Sequence, residues 1–505
     1  MSNFVRVRLE PLGQVLEIER GKHLQDTLSA YGVEFPCGGN ATCKGCRVKL
    51  LSGRIPPTPD EEQVLSPDEI SNGWRLGCRL QANEDLVVEV EQWETVILAD
   101  NSVFHFVPRE GIGVAVDLGT TTVVAQSVDL ATGRVLRVSS AVNPQVAYGS
   151  DVMSRVEYAI RNGGRNKLTQ LIRDKIGEMV FELAMHGRPA DTPREIIIVG
   201  NTVMHHLFCG IDVEPLAHVP FEPSRDGLEV FRAGNLGWSF VGDATVRFLP
   251  CLGGFVGSDI LAGLLATKLP YSDEFVGLVD LGTNGEIVFG DRRRMICAST
   301  AAGPAFEGGR ISMGMRAATG AISGVSLQGG RLECHVIGNG SPRGICGSGL
   351  VDAVAVGLEL GRLGPDGRFQ GGEKTWTLIP PVTLTQRDIR ELQLAKAAIA
   401  AGIRIVLKRL GSKPADVTRV YLAGAFGNYV NRWSARRIGL FDFPLEIVRP
   451  AGNTALHGAK IAFFREEDPE GDFRELRNRI EHISLAADPE FQKIFVEEMQ
   501  FPTFI

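Results

Sequence analysis

Three cysteines share one glycine-bearing loop near the start of the chain, and a fourth follows after a long gap. Their spacing is C-x5-C-x2-C-x31-C, formed by Cys37, Cys43, Cys46 and Cys78. Four thiolates so arranged can ligate two irons bridged by sulfides, and glycines let the loop curl around such a cluster. A structural zinc site is the alternative, but zinc sites usually show two close cysteine pairs. The spacing therefore favours a [2Fe-2S] cluster.

A repeated turn indicates a second chemistry. DLGTTT occupies Asp117–Thr122 and DLGTNGE occupies Asp280–Glu286, each between apolar, strand-like segments. Glycine lets the backbone approach a phosphate, threonine hydroxyls and turn N–H groups donate to its oxygens, and aspartate can hold Mg²⁺ through water. One such turn could be only a hairpin. Two turns with the same downstream strands predict two similar halves that grip a polyphosphate from both sides.

Further segments end an apolar strand with small residues, which favours ligand binding where a helix follows. They are IIIVGNTVMHH (196–206), STAAGPAFEGG (299–309, with Gly303 and Glu307), GICGSGLVD (344–352) and GAFG (424–427). The last would leave room for a flat purine. Close packing alone remains the alternative for the first three. His205 and His206 are predicted to be ordinary helix residues, because no metal-ligand pattern accompanies them.

Periodicity predicts two units of different class. Residues 1–94 contain alternating strands (VRVRLE, QVLEIER, LVVEVE), a short helix at HLQDTLSAYG and a capping box at Ser66–Glu69, which together indicate a small α+β domain. A linker at 95–110 leads to residues 111–505, where strands alternate with small-residue helices as in an α/β domain.

Composition excludes several function classes. The chain has 505 residues and a formal net charge of −7, so it has no basic excess for nucleic acid. The first residues lack the apolar core of a signal peptide, and the longest apolar stretch is too short to cross a bilayer. Nine cysteines do not form a disulfide scaffold, and we expect Cys209, Cys251, Cys297, Cys334 and Cys346 to be buried and inert. These features predict a cytoplasmic protein without a membrane partner.

The cysteine loop resembles that of β-grasp [2Fe-2S] ferredoxins, with five residues instead of four between the first two cysteines. The rest of the chain resembles the actin/Hsp70/sugar-kinase superfamily, whose two phosphate hairpins and adenosine loop occur in this order. That resemblance implies binding of ATP and Mg²⁺, with Asp117 and Asp280 holding the metal. It implies nucleotide contacts from Asp117, Gly119, Thr120, Thr121, Thr122, Asp280, Gly282, Thr283, Asn284, Gly303, Glu307 (a ribose hydroxyl), Gly424, Ala425, Phe426 and Gly427.

The combination resembles the ATP-dependent reductive activators of corrinoid proteins. The segments that carry this resemblance include CGGNATCKGC, AVDLGTTTV, YGSDVMSRVEYA, VGNTVMHHLFCGI, VDLGTNGEI, GICGSGLVD and LAGAFGNY. It implies that the chain returns a corrinoid protein from Co(II) to Co(I), using ATP to drive electron transfer through the cluster. Such activators can carry an extra middle domain after the ferredoxin. Only about 20 residues separate the last ferredoxin strand from Gly111 here, so the resemblance does not establish dimerisation through such a domain, and the oligomeric state stays open.

Other functions remain to be compared. An activator of a 2-hydroxyacyl-CoA dehydratase would share the ATPase fold but would lack a ferredoxin domain. A sugar kinase would not need iron and sulfur. An ATP-driven electron donor to another metalloenzyme, or a redox-responsive module that binds ATP without turnover, would keep both parts. The sequence identifies neither the electron donor nor the catalytic base, for which Asp259, Asp280 and Glu286 are the candidates.

Overall fold

The computed structural model describes residues 3–10, 14–30, 41, 46–89, 108–161, 163–185, 192–317, 320–337, 341–465 and 469–503. Two of the predicted cluster ligands, Cys37 and Cys43, and most of the predicted linker lie outside these residues. Among the described helices, none is long and apolar enough to cross a membrane.

The N-terminal unit is a five-stranded sheet with three short helices. Its strands are β1 (Phe4–Glu10), β2 (Gln14–Glu19), β3 (Arg47–Ser52), β4 (Trp74–Leu76) and β5 (Leu86–Glu89), and its helices are α1 (Gln25–Ala30), α2 (Pro59–Val64) and α3 (Pro67–Ser71). The order β2-β1-β5-β3-β4 places the predicted hairpin beside the last strand. Alternate residues of β1 (Val5, Val7, Leu9) are buried, so one face of the sheet forms the core.

Capping residues determine where two of these helices begin. Ser66 and Glu69 form the predicted capping box at the start of α3. Thr58 and Glu61 form a second box that starts α2, a helix that the sequence reasoning missed. Buried Glu61 also accepts a hydrogen bond from the backbone N–H of Leu76 at 2.7 Å, which ties α2 to β4 just before Cys78.

The first half of the larger domain is built on a six-stranded sheet. Its strands are β6 (Ile112–Leu118), β7 (Thr122–Asp129), β8 (Val135–Val142), β9 (Pro193–Gly200), β10 (Glu229–Arg232) and β11 (Thr245–Phe248). The accompanying helices are α4 (Val152–Arg161), α5 (Arg165–Met185) and α6 (Thr202–Cys209), followed by α7 (Ser258–Thr267), which leads into the second half. His205 and His206 lie in α6, as predicted, and both are buried.

The second half has a matching sheet of β12 (Val276–Leu281), β13 (Gly285–Gly290), β14 (Met295–Thr300), β20 (Arg419–Ala423), β21 (Val448–Gly452) and β22 (Ile480–His482). Smaller sheets contain β15 (Ala321–Gln328), β16 (Arg331–Val336) and β17 (Gly344–Ile345), and β18 (Thr375–Ile379) with β19 (Val382–Thr385). The helices are α8 (Gly347–Glu359), α9 (Gln386–Arg409), α10 (Gly424–Tyr429), α11 (Arg432–Arg437), α12 (Thr454–Ala462), α13 (Pro469–Asn478) and α14 (Phe491–Glu498).

The two large sheets repeat one topology. Five strands correspond between them, in the order β11-β9-β6-β7-β8 in the first and β21-β20-β12-β13-β14 in the second, while β10 and β22 are additional edge strands. In each, the first three strands along the chain form an antiparallel meander, and the two later strands add in parallel. Both DLGT turns connect the first two strands of their sheet, so the duplication predicted from the sequence is present in the fold.

Helices α7 and α12 pack closely together between the two sheets. Their apolar residues share one buried cluster with side chains of both sheets, including Val124 and Ile197 of the first and Leu278 and Val288 of the second. A β-carbon at Gly458 would lie 1.9 Å from the carbonyl oxygen of Ala262, so glycine is required for the helices to approach this closely.

The isolated cysteines agree largely with expectation. Cys251, Cys297 and Cys346 are buried, whereas Cys209 and Cys334 are half-buried. Burial raises the pKa of the Cys251 and Cys297 thiols to about 12, which keeps them protonated and unreactive.

We predict that Gly458→Ala destabilises the larger domain by about 1–3 kcal/mol, the usual cost of overpacking. The added methyl group must push α12 away from the backbone of α7. Gly234→Ala is the matched control, because a β-carbon there meets no atom within 4 Å. Thermal unfolding of both variants tests this, and equal midpoints would show that α7 and α12 are not tightly packed.

Candidate functional site

A cavity of about 310 Å³ lies between the two DLGT turns. Both halves line it, because each turn ends the first strand of its own sheet. Its lining contains Asp117, Gly119, Thr120, Thr121, Thr122, Asn201, Asp259, Asp280, Gly282, Thr283, Asn284, Glu286, Phe306, Glu307, Arg316, Cys346, Gly347, Ser348, Gly424, Phe426 and Asn453. The repeated turns therefore face one shared cleft.

The side chains of the first turn are oriented by two asparagines. Asn201 donates its side-chain amide to Thr120 Oγ1 at 2.9 Å, and Asn453 donates to Asp117 Oδ2 at 2.8 Å. Each asparagine also caps a helix, Asn201 at α6 and Asn453 at α12. One side chain thus fixes both a helix start and a residue of the turn, which links the helices to the geometry of the cleft.

The second turn depends on Gly424 at the start of α10. Gly424 has a φ of 80°, and a β-carbon there would lie 2.5 Å from Asp280 Oδ1. Glycine is therefore required both by the backbone conformation and by the room that the carboxylate occupies. The GAFG segment was predicted as a turn; in the structure it forms the first residues of a short helix.

Glu307 joins the two turns across the cleft. Thr121 Oγ1 of the first turn donates to Glu307 Oε2 at 3.2 Å, and Thr283 Oγ1 of the second donates to Oε1 at 2.5 Å. Both hydroxyls are predicted phosphate donors. The carboxylate thus lies where two sets of anion-binding groups converge, on a 3₁₀ turn at Pro304–Glu307.

An aromatic pair borders the same cavity. The rings of Phe306 and Phe426 stack with centroids 4.5 Å apart and an interplanar angle of 20°. Nearby, Cys346, Gly347 and Ser348 place the N-terminus of the 13-residue helix α8 at the cavity wall. Apolar rings beside a helix N-terminus and the cation Arg316 suit a ligand with a flat ring at one end and anionic groups at the other.

Buried carboxylates of both halves face one another in the cleft. Burial raises the pKa of Asp117 to about 6, of Asp280 to about 7 and of Asp259 to about 8, and the charge of neighbouring aspartates adds to the last two. Burial also raises the pKa of Glu286 well above its usual value. An all-oxygen set of mutually repelling carboxylates suits a hard cation, so Asp117 and Asp280 fit the predicted Mg²⁺.

The described cluster cysteines are close together in the N-terminal unit. Cys46 and Cys78 are buried, and their sulfur atoms lie 3.6 Å apart. Two thiolates on one tetrahedral metal with bonds of about 2.3 Å would be separated by about 3.8 Å. The observed separation therefore fits two ligands of a single tetrahedral metal ion, as the predicted cluster requires.

Most of the predicted cleft residues line the cavity. Gly303 and Gly427 are not among its lining residues: Gly303 donates its N–H to Thr283 O at 2.9 Å, and a β-carbon at Gly427 would lie within 4 Å of Leu422. The side chain of Ala425 is outside the described residues. Sequence reasoning did not single out Asn201, Asn453, Phe306 or Arg316, although both asparagines follow a strand and precede a helix, which is a readable signal.

Family models match nearly the whole chain. Residues 7–83 match the 2Fe-2S iron-sulfur cluster binding domain. Residues 112–272 match the RACo middle region, and residues 274–504 match the C-terminal domain of RACo, the ASKHA domain. The boundary between the last two falls after α7, where the first half of the duplicated domain ends.

Individual relatives agree. The chain is 33% identical over 441 residues to the corrinoid activation enzyme RamQ of Eubacterium limosum, covering 80% of this chain and 74% of that protein. It is 26% identical over 425 residues to the [Co(II) methylated amine-specific corrinoid protein] reductase of Methanosarcina barkeri, covering 77% of each. The solved reductive activator for corrinoid, iron-sulfur protein superposes with a TM-score of 0.70 at 27% identity, covering 99% of this chain and 98% of that one. The chain therefore belongs to the RACo family, with an N-terminal 2Fe-2S domain followed by an ASKHA domain.

Proposed function

We propose that this protein is an ATP-dependent reductive activator, which returns the cobalt of a corrinoid protein from Co(II) to Co(I). The carrying observation is that one chain joins a ferredoxin unit, with Cys46 and Cys78 in ligand geometry, to a two-sided cleft rich in buried carboxylates. Its similarity to RamQ over most of both chains supports the corrinoid partner. We also propose a cytoplasmic location, where thiols stay reduced.

ATP is needed because the electron moves uphill. Plant-type [2Fe-2S] centres have potentials near −400 mV, and each shortfall of about 59 mV costs a one-electron transfer about 1.4 kcal/mol. The overall reaction takes one electron from an upstream low-potential reductant and adds it to Co(II). ATP hydrolysis to ADP and phosphate accompanies the transfer and makes it favourable.

The cleft residues have distinct proposed roles. Asp117 and Asp280 hold Mg²⁺, which neutralises charge on the phosphates when bound. The threonines and backbone N–H groups of both turns bind phosphate oxygens, and the Phe306–Phe426 pair borders the base. Thr121 and Thr283 both donate to Glu307, so this carboxylate and the phosphate oxygens compete for the same two hydroxyls.

Asp259 is the proposed water-orienting base. It stands in the first turn of α7, and its Oδ1 accepts the N–H of Ile260 at 2.8 Å. A raised pKa suits a group that must take a proton from water near neutral pH. Asp280 and Glu286 remain the other candidates for the base. Glu286 Oε1 accepts a hydrogen bond from Ser299 Oγ at 3.5 Å.

The carboxylates predict a specific pH dependence without metal. Because the folded pKa of Asp259 is about 8 and its ordinary value is 3.8, the folded state binds the extra proton between these values. The associated stability is present at low pH and is lost as the pH rises towards 8. Asp259→Asn, which cannot ionise, should therefore melt higher than the parent at pH 8 in EDTA, with a smaller difference at pH 5.

Scanning calorimetry measures this difference in melting temperature. The relevant unfolding transition is the one whose midpoint shifts when Mg²⁺-ATP is added. Saturating Mg²⁺ and nucleotide should narrow the difference at pH 8, because the cation compensates the ionised carboxylates of the parent. A constant difference across pH would show that Asp259 is not protonated in the empty cleft.

The Co(I) assay tests the proposed function directly. With corrinoid protein, a strong reductant and this protein under anaerobic conditions, Co(I) absorption should rise much faster with ATP than without. Cys78→Ala should abolish the rise and bleach the visible spectrum while ATP hydrolysis continues. Asp280→Asn should abolish both hydrolysis and the rise while the spectrum stays intact.

Cys334→Ala is the matched control, since this half-buried cysteine lies on β16, outside the cluster set. It should behave as the parent does in all three measurements. Equal rates of Co(I) formation with and without ATP in the parent would refute the proposal and favour a simple ferredoxin role.

A further inference from the structure

The carbonyl groups of the first DLGT turn, called the phosphate turn below, accept hydrogen bonds from Asn143 and Arg155. Asn143 donates its side-chain amide to Gly119 O at 2.9 Å and its backbone N–H to Thr121 O at 2.9 Å. Between them, Arg155 Nη2 donates to Thr120 O. Because the carbonyl and the next N–H of a peptide point in opposite directions, this arrangement directs the N–H groups of Thr120 and Thr121 away from Asn143 and Arg155. Thr120 and Thr121 both line the cavity, and we infer that their N–H groups point towards it.

Arg155 also binds the 3₁₀ turn at Pro144–Tyr148, which is separate from both DLGT turns. Its Nε donates to Gly149 O at 2.9 Å, and its Nη1 donates to Gln145 Oε1 at 3.3 Å. Arg155 and Gln145 are both fully buried. A shift of one turn without the other would leave a buried N–H of Arg155 without its acceptor, so the phosphate turn and the 3₁₀ turn are linked through this side chain.

The charged surroundings of Arg155 include a carboxylate of the cleft. Burial lowers its pKa to about 9, and Asp151 and Glu307 oppose that shift. Glu307 also accepts hydrogen bonds from Thr121 and Thr283, which are the predicted phosphate donors. A ligand that competes for these hydroxyls therefore acts on a carboxylate that Arg155 senses electrostatically.

The 3₁₀ turn is also where the ferredoxin unit rests on the larger domain. Gln25, at the start of α1, donates its side-chain amide to Ala147 O. Ala147 lies two residues from Gln145, the partner of Arg155. Hydrogen bonds thus connect the phosphate turn through Asn143 and Arg155 to the 3₁₀ turn, and the backbone from Gln145 to Ala147 connects them to the hydrogen bond with the ferredoxin helix.

We propose that Asn143 and Arg155 are positioning residues, which couple nucleotide binding in the cleft to the docking of the ferredoxin unit on the Pro144–Tyr148 turn. The inference rests on the proposed function and adds the route by which ATP binding affects the ferredoxin unit. Linkage makes the coupling reciprocal: if nucleotide alters the docking, then the docking contact alters nucleotide affinity.

A double-mutant cycle on the full, cluster-loaded chain tests this coupling. The dissociation constant of Mg²⁺-ATP is measured for the parent, Gln25→Ala, Arg155→Lys and the double variant. Gln25→Ala should change the constant about fivefold or more in the parent. The same substitution should have no effect in the Arg155→Lys background, because the route is already broken there.

Two further variants complete the design. Gln81→Ala removes the same kind of side chain from the ferredoxin unit, where Gln81 Nε2 is hydrogen-bonded to His23 Nε2 at 3.0 Å, and should leave the nucleotide constant unchanged. Gln145→Met cuts the link between Arg155 and the 3₁₀ turn without touching the phosphate turn. It should reproduce the loss of coupling if Arg155→Lys fails to fold.

The outcomes separate this inference from the proposed function. If Gln25→Ala has no effect in the parent, or an equal effect in the parent and in both Arg155→Lys and Gln145→Met, the positioning role is overturned. The Co(I) assay on the same parent preparation shows whether ATP-driven reduction still operates in that case. Loss of ATP dependence in that assay would instead refute the proposed function itself.

Discussion

Buried carboxylates from both halves of a duplicated domain set the constraint on which the rest of the structure depends. Asp117, Asp259, Asp280 and Glu286 face one cleft, and burial raises the pKa of each carboxyl, with neighbouring carboxylates adding to the shift at Asp259, Asp280 and Glu286. Such a set is unfavourable while ionised. A divalent cation would relieve this repulsion, and the phosphates bound with it would give both DLGT turns a common ligand.

That constraint explains why the two halves and the redox unit belong on one chain. Glu307 bonds to Thr121 and Thr283 across the cleft, and helices α7 and α12 pack closely together at Gly458. A bound nucleotide can therefore contact both sides of the cleft at once. The ferredoxin helix contacts the larger domain at Ala147, in the 3₁₀ turn that is linked to the first DLGT turn. A structural change in the cleft can therefore alter this contact.

The sequence predicted elements whose signals are local. The DLGT turns, the strands around them and the capping box at Ser66 all appear, because periodicity and capping act over a few residues. The helix α2 was missed despite its capping box at Thr58. In the site, Asn143 and Arg155 were not predicted, because their roles depend on chain segments that only tertiary folding brings together. Cys37 and Cys43 lie outside the described residues, so their ligation remains a prediction from spacing.

The central claim is that ATP does work on a corrinoid partner, and it can do so only if two nucleotide states hold that partner differently. The most direct measurement is the affinity of the Co(II) corrinoid protein for this chain, determined anaerobically without nucleotide and with saturating Mg²⁺-ATP. The account predicts dissociation constants that differ by about fivefold or more. Identical constants in the two states would contradict it.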